Sequence, residues 1–517
     1  MPPTAKNSLL ATFIWLATAT LVQPATAAPT MQQQLQALQQ TLEAQQAQLA
    51  KQQQQIEKLE QGTVQTKLAA QEQPKLSSSG SRPTLTSADG RSAIALRALV
   101  QLDAAHYSQA APGSLSRDFR RGSVGATANR ETDAAQHLSD GAYFRRARFG
   151  VEGTIARAFN YRLLMELGGA GSEGPTRIND AWIAYTGFAP FTVQMGAFAP
   201  PANLADGTTP DDLLFIERAS SAELSRVMGG ADGRLGIGLR GSGSRWMAAL
   251  TLTSRTVNDA ETFDSQSALV GRAGGLVATG IDFNVHLGVN GSYVLHPPDQ
   301  GFSATSNRYG IRFRDRPELR VDSTRLIDTG TIDARHASAT GVEFAANWRN
   351  WLLQAEDTGF AVDRRASSLA SPRFNGYYLE GSWVLTGESH RYNAANASYQ
   401  SPRPFVPFDG HDGWGAWELA LRYSRTDLNF HAGFAGLASP ADGIRGGEQS
   451  VTAAGVNWYP NQNLRLLVDF MHIKVDRLNP AAAGNPTPFG AAPATPPVGV
   501  NIGQNLNVFA LRSQYAF

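Results

Sequence analysis

Cysteine is absent from all 517 residues. Disulfides, thiol nucleophiles and Cys-metal sites are therefore excluded, as suits an exported chain that folds without cross-links. Long apolar runs are missing too. Beyond the extreme N-terminus no window approaches the ~18 apolar residues that a spanning helix needs, so any membrane role must come from strands. Lysine nearly vanishes: Lys474 is the only one after Lys75, and residues 93–517 hold 37 Arg and 1 Lys against 39 Asp plus Glu. A formal charge of +1 offers no basic excess for nucleic acid. The nine His are scattered, with no pair at ligand spacing on a common strand face, so no metal is expected. Nothing isolates a nucleophile with a base beside it, and the adjacent Asp211-Asp212 and the lone Asp103 read as solvated loop and lumen charges. Neither an enzyme nor a bound cofactor is expected.

What is present starts with an address. Lys6 precedes an apolar run from Leu9 to Val22, and Ala25-Thr26-Ala27 supplies small residues for cleavage. This reads as a secretory signal peptide over 1–27. In 28–61, Leu35, Leu42, Leu49 and Ile56 sit seven apart, with Leu38, Gln45, Gln52 and Leu59 forming a second row. Four heptads predict an α-helical coiled coil, roughly 45 Å long at 1.5 Å per residue. A disordered Gln tract competes with that reading, but random low complexity would not hold leucine in register. Residues 62–92, with Ser77-Ser78-Ser79-Gly80-Ser81 and Pro83, read as a flexible linker.

From residue 93 onward the pattern has period two. Trp417, Leu419, Leu421 and Tyr423 oppose Glu418, Arg422 and Ser424, while Leu235, Ile237 and Leu239 oppose Arg234, Gly236, Gly238 and Arg240. In Tyr143-Phe144-Arg145-Arg146-Ala147-Arg148-Phe149-Gly150-Val151-Glu152-Gly153, one face takes Tyr143, Ala147, Phe149 and Val151 with Arg145 as an exception. The other takes Phe144, Arg146, Arg148 and Glu152. A wall that meets lipid on one side and a watery lumen on the other has this alternation. Gly is high at 50 residues and mean hydropathy is unremarkable at −0.26, as expected when one face of every strand is polar. Short connections such as 186–190 and 459–461 alternate with long ones at 108–141, 257–267, 296–307 and 428–449. The chain ends on an alternating strand in which Phe509, Leu511, Tyr515 and Phe517 share a face. The fold predicted for 93–517 is an all-β transmembrane barrel of about 16 antiparallel strands.

The stretches 144–153, Phe215-Ile216-Glu217-Arg218, Arg312-Phe313-Arg314-Asp315-Arg316-Pro317-Glu318, Gly415-Ala416-Trp417-Glu418-Leu419 and Asn457-Trp458-Tyr459-Pro460-Asn461 carry a resemblance to the phosphate-selective porin O and P family. That resemblance implies a sixteen-stranded trimeric channel in the outer membrane of a Gram-negative bacterium, with the coiled coil in the periplasm. It also implies that about 200–233 folds into the pore as a constriction loop, and that the terminal Phe517 is read by the barrel assembly machinery. The expected function is passive diffusion of small hydrophilic solutes, with phosphate or other oxyanions preferred. A structural tether between outer membrane and cell wall, built on the coiled coil, is the alternative. Arg146, Arg148, Arg162, Arg234, Arg240 and Arg422 are expected to line the pore with Arg218 of the loop and Arg312 and Arg314 of the matched motif. The sequence departs from phosphate-specific members in lacking lumen lysines. Glu166, Asp180, Glu343, Glu380 and Glu418 share lumen parity with the arginines, which predicts a field directed across the pore.

Overall fold

Alternation along the strands is realised as a closed wall in the computed structural model. β1 (Ala93–Gln109), β2 (Gly141–Ile155), β3 (Phe159–Glu166), β4 (Arg177–Phe188), β5 (Phe191–Phe198) and β6 (Arg234–Ser242) follow one another around it. β7 (Trp246–Thr256), β8 (Ser267–Thr279), β9 (Phe283–His296), β10 (Ile332–Trp348) and β11 (Trp351–Arg364) continue it. β12 (Arg373–Val384), β13 (Ala416–Phe430), β14 (Ile444–Tyr459), β15 (Leu464–Asp476) and β16 (Gln504–Ala516) complete the sixteen. Each pairs antiparallel with its sequence neighbour, and β16 returns to β1 from Leu506↔Gln109 to Ala516↔Leu99. Closure leaves no sheet edge along the seam, the condition for strands in hydrocarbon, where an unpaired backbone group has no water to bond. The structure describes residues 30–71, 73–79, 82–110, 138–169, 176–259, 263–301, 308–366, 368–480, 498–499 and 501–517. The signal peptide expected over 1–27 lies outside them.

The faces sort as the alternation requires. Leu419, Leu421 and Tyr423 are exposed on the outer surface, whereas Glu418, Arg422 and Ser424 are buried inside. One strand departs. Between β1 and β2, Gln101 pairs with Arg146 but Leu102 pairs with Phe144, so Arg145 is an extra, unpaired residue. This β-bulge turns Arg145 inward beside Arg146, and Phe144, assigned to the lumen by strict alternation, points outward.

The connections differ at the two rims. At one they are short, spanning 156–158, 189–190, 243–245, 280–282, 349–350 and 460–463. At the other they are longer and include 199–233 and 297–331. The exception is 385–415, a long connection on the short-turn rim. Nor is the lumen polar throughout. Leu467, Met471, Ile473 and Val475 of β15 and Leu506, Val508 and Ala510 of β16 point inward into one buried cluster with Phe215, Ile216, Phe313, Leu326 and Ile327. Two long-rim connections fold inward and convert this part of the lumen into a protein core. Each large side chain so buried stabilises the arrangement by about 1.5–3 kcal/mol.

The N-terminal part forms a separate unit, Met1–Gln73. Its helix α1 (Met31–Gln71) runs beyond the expected 61. Leu35, Leu38, Leu42, Leu49, Ile56 and Leu59 are 54–70% exposed. Part of the expected linker is also ordered. Lys75–Ser79 and Arg82–Thr86 form a hairpin whose second arm pairs with the start of β1, Thr84 opposite Ala95.

Candidate functional site

The segment between β5 and β6 follows the wall into the lumen. Asn203 caps the short helix α2 (Leu204–Gly207), its side chain accepting from the Asp206 N–H at 2.8 Å. A second helix, α3 (Ser220–Gly229), precedes β6. Between them the backbone of 214–217 is held by inward side chains of β13–β16. Asp469 accepts from the Ile216 N–H at 2.9 Å, Arg512 donates to the Ile216 carbonyl at 2.6 Å, and Asn457 donates to that of Leu214 at 3.1 Å. Arg422 donates to the Glu217 carbonyl at 2.9 Å and lies over the Phe215 ring, 4.4 Å from its centroid. Much of the wall's polar lining thus serves to fix this loop.

Glu217 is the centre of the fixation. Arg145 Nε lies 2.5 Å from its carboxylate, Arg512 3.2 Å, Arg320 3.7 Å and Arg146 3.9 Å. Burial alone would raise the Glu217 pKa, but Arg145, Arg146, Arg320 and Arg512 outweigh it and hold the group well below the usual carboxylate range. Arg512 is shared with Asp103 at 2.6 Å. A parallel arrangement closes the end of the loop, where Asp232 meets Arg226 at 2.5 Å and Arg148 at 2.8 Å.

Inside the barrel a cavity of about 850 Å³ opens toward the short-turn rim, between the loop and residues 391–403. Ten arginines and five aspartates line it, with Glu152 paired to Arg82, Arg97 and Arg162 and Glu166 to Arg148 just behind the lining. A narrower space of about 340 Å³ lies near the opposite rim, lined by Arg312, Arg314, Phe313 and Gln300.

The expected lining residues divide between these surroundings. Arg162 and Arg240 face the larger cavity. Arg162 is part-exposed, bonded to Glu152 at 2.7 Å, with Trp182 beneath it at 5.3 Å, and Arg240 donates to Asn396 Oδ1 at 2.6 Å. Arg148 and Arg218 border the cavity but are spoken for: Arg148 by Glu166 at 2.7 Å and Asp232, and Arg218 by the carbonyls of Ala205 at 2.8 Å and Thr208 at 3.1 Å. Arg146 donates to Gln101 at 2.6 Å. Arg234 donates to the Gly230 and Ser254 carbonyls at 2.8 and 2.9 Å, and Arg422 binds Glu318 at 2.6 Å. Arg312 pairs with Asp328, and the exposed Arg314 faces the smaller space. Sequence reasoning passed over Arg82, Arg97, Arg391 and Arg403, all on the larger cavity. Arg97 was legible from alternation along β1. Arg82 lies in the hairpin before the barrel, and Arg391 and Arg403 lie in the connection 385–415, where no wall-strand period points.

Sequence comparison bears on this geometry. An uncharacterised protein of Caulobacter vibrioides is 28% identical over 358 residues, covering 66% of this chain and 65% of that protein. The chain therefore spans slightly under two thirds of that relative's length. Porin O of Pseudomonas aeruginosa is 25% identical over 380 residues, covering 71% of this chain and 83% of that one. Among solved structures, the anion-selective porin from Comamonas acidovorans superposes with a TM-score of 0.46 at 12% identity, covering 82% of this chain and all of that one. The family model described as phosphate-selective porin O and P matches residues 121–491, well over half of the chain. The barrel, its inward loop and that match make the chain a member of the phosphate-selective porin O and P family.

Proposed function

We propose that the chain forms a passive outer-membrane channel for small hydrophilic solutes that prefers anions, phosphate or other oxyanions among them. One observation carries the preference: the 850 Å³ cavity has ten arginines on its lining against five aspartates. In a narrow space with low-dielectric walls, an excess of one sign concentrates the opposite ion. Guanidinium also offers two-pronged donors that match phosphate and carboxylate, so lysine is not required. Arg162 and Arg240, with Arg82, Arg97, Arg391 and Arg403, are the proposed anion contacts; Arg146, Arg148, Arg218, Arg234 and Arg422 hold the constriction in place. The test is a single-channel reversal potential across a KCl gradient at low ionic strength. A potential of anion sign is expected, and a cation-selective channel would remove the reading.

A second observation supports assembly. The leucine rows of α1 are exposed, and a second and third copy of the same helix would cover them, giving a homotrimer with a periplasmic coiled coil. If the purified protein conducts nothing in planar bilayers, the tether reading replaces the channel.

A further inference from the structure

The connection 385–415 does two opposite things. Its first part enters the barrel. His390 Nε2 lies 2.6 Å from Glu418, Arg272 donates to the carbonyls of Asn396 and Ala397 at 2.7 and 2.8 Å, and Ser398 donates to that of Gly207 at 2.8 Å. The Ser401 N–H reaches Asp212 at 2.8 Å, so this part braces the constriction loop from below. Its second part turns the other way. Trp417 and Trp458 stand on the outer face, since their neighbours Ala416, Glu418, Asn457 and Tyr459 are buried inside. Their rings stack at 5.5 Å, and both indole N–H groups donate to the Trp414 carbonyl, at 3.2 and 2.9 Å. Phe408 sets its ring edge-on to Trp458 at 5.3 Å, and its N–H donates to the Pro460 carbonyl at 2.7 Å. The segment is therefore folded over the outside of the wall, with Phe405, Val406, Phe408 and Trp414 left 72, 57, 47 and 69% exposed.

We propose that 405–414 is a lipid-contact segment, seated in the headgroup region of the leaflet at the short-turn rim, and that it anchors the inward part of the same connection. Continuity argues for lipid as the occupant. The patch adjoins the Trp417–Trp458 stack, and a second outward stack, Trp351–Trp383 at 5.1 Å, lies on β11 and β12 of the same wall. Amphipathic rings collect at this depth of a bilayer. Pro402, Pro404 and Pro407 restrict the backbone, and the polar turn 409–412 supplies a wet end. The two parts are tied together, because Glu388 accepts from the Phe405 N–H at 2.9 Å and Thr386 accepts from the Trp417 N–H at 3.1 Å.

Lack of native cysteine makes the test clean. Phe405→Cys, and separately Trp414→Cys, are labelled with a small fluorophore in the full chain and reconstituted in phosphatidylcholine vesicles. Vesicles carrying a nitroxide high on the acyl chain should quench both labels about twofold or more, with iodide in the water quenching little, as for an interfacial ring. An Asp409→Cys label should respond to iodide instead. Quenching of both ring-site labels by iodide alone places the segment in water and overturns the proposal. Quenching by neither agent means that protein, a second copy for example, covers it, and overturns it equally. For the anchoring, a Phe405→Ser, Phe408→Ser, Trp414→Ser variant should show at least about twice the open-channel current noise of the parent. Unchanged noise in a variant that retains heat stability refutes the anchoring.

Discussion

Replacing Glu217 with Gln probes the constriction where its forces converge. The substitution keeps shape and removes one negative charge from among Arg145, Arg146, Arg320 and Arg512, all within 4 Å. Arg512 keeps Asp103 as a partner, but for Arg145 no carboxylate besides Glu217 is in the described contacts. Leaving a buried guanidinium without its counter-charge costs about 3–5 kcal/mol. Because the barrel ladder does not run through Glu217, the cost falls on seating of the loop. Single-channel recordings should show a noisier open state and a reversal potential shifted further toward anions, with the heat-resistant barrel intact. Acid gives an independent check. The folded-state pKa of Glu217 is depressed, so its contribution is fully present above the ordinary 4.5 and is lost only as pH falls well below that. The part of the parent's quiet state that depends on Glu217 should persist above the ordinary 4.5 and be lost only in stronger acid, so parent and variant should differ least there. A variant with parental noise and reversal potential would refute the hub.

Other predictions test the division of labour among the arginines. Arg218→Ala removes donors to the Ala205 and Thr208 carbonyls, so conductance should rise for all solutes alike; a selective loss of oxyanion current would make Arg218 a contact instead. Arg162→Gln with Arg240→Gln should lower anion selectivity at 0.1 M salt and much less at 1 M, where screening is felt within about 3 Å, and should leave heat resistance unchanged. Arg145→Glu would set a second carboxylate against Glu217, and its effect on gating noise should exceed that of Arg162→Gln. Deleting 31–61 should leave a conducting oligomer, since wall contacts are expected to hold the subunits; loss of the heat-resistant oligomer band would assign trimerisation to α1.

Strand alternation was legible because it is a local consequence of two solvents. Leu419, Leu421 and Tyr423 had to leave the side that Glu418 and Arg422 occupy, whatever the rest of the chain did. The same logic gave the closed barrel, whereas the inward loop at 200–233 came from the resemblance to the porin family. The sequence could not state where register slips. Arg145 and Arg146 are adjacent and identical, and the ladder between Gln101 and Leu102 decides that both face inward. Nor could it separate arginines that meet solutes from arginines that meet carboxylates. Arg146 and Arg162 share lumen parity, yet one is buried against Gln101 and the other is part-exposed on a cavity, a difference set by the distant loop 199–233. The apolar inner faces of β15 and β16 belong to the same class of fact. Their side chains turned inward only because Phe215, Ile216, Leu326 and Ile327 came in to cover them, and long-range contact of that kind leaves no period in the chain.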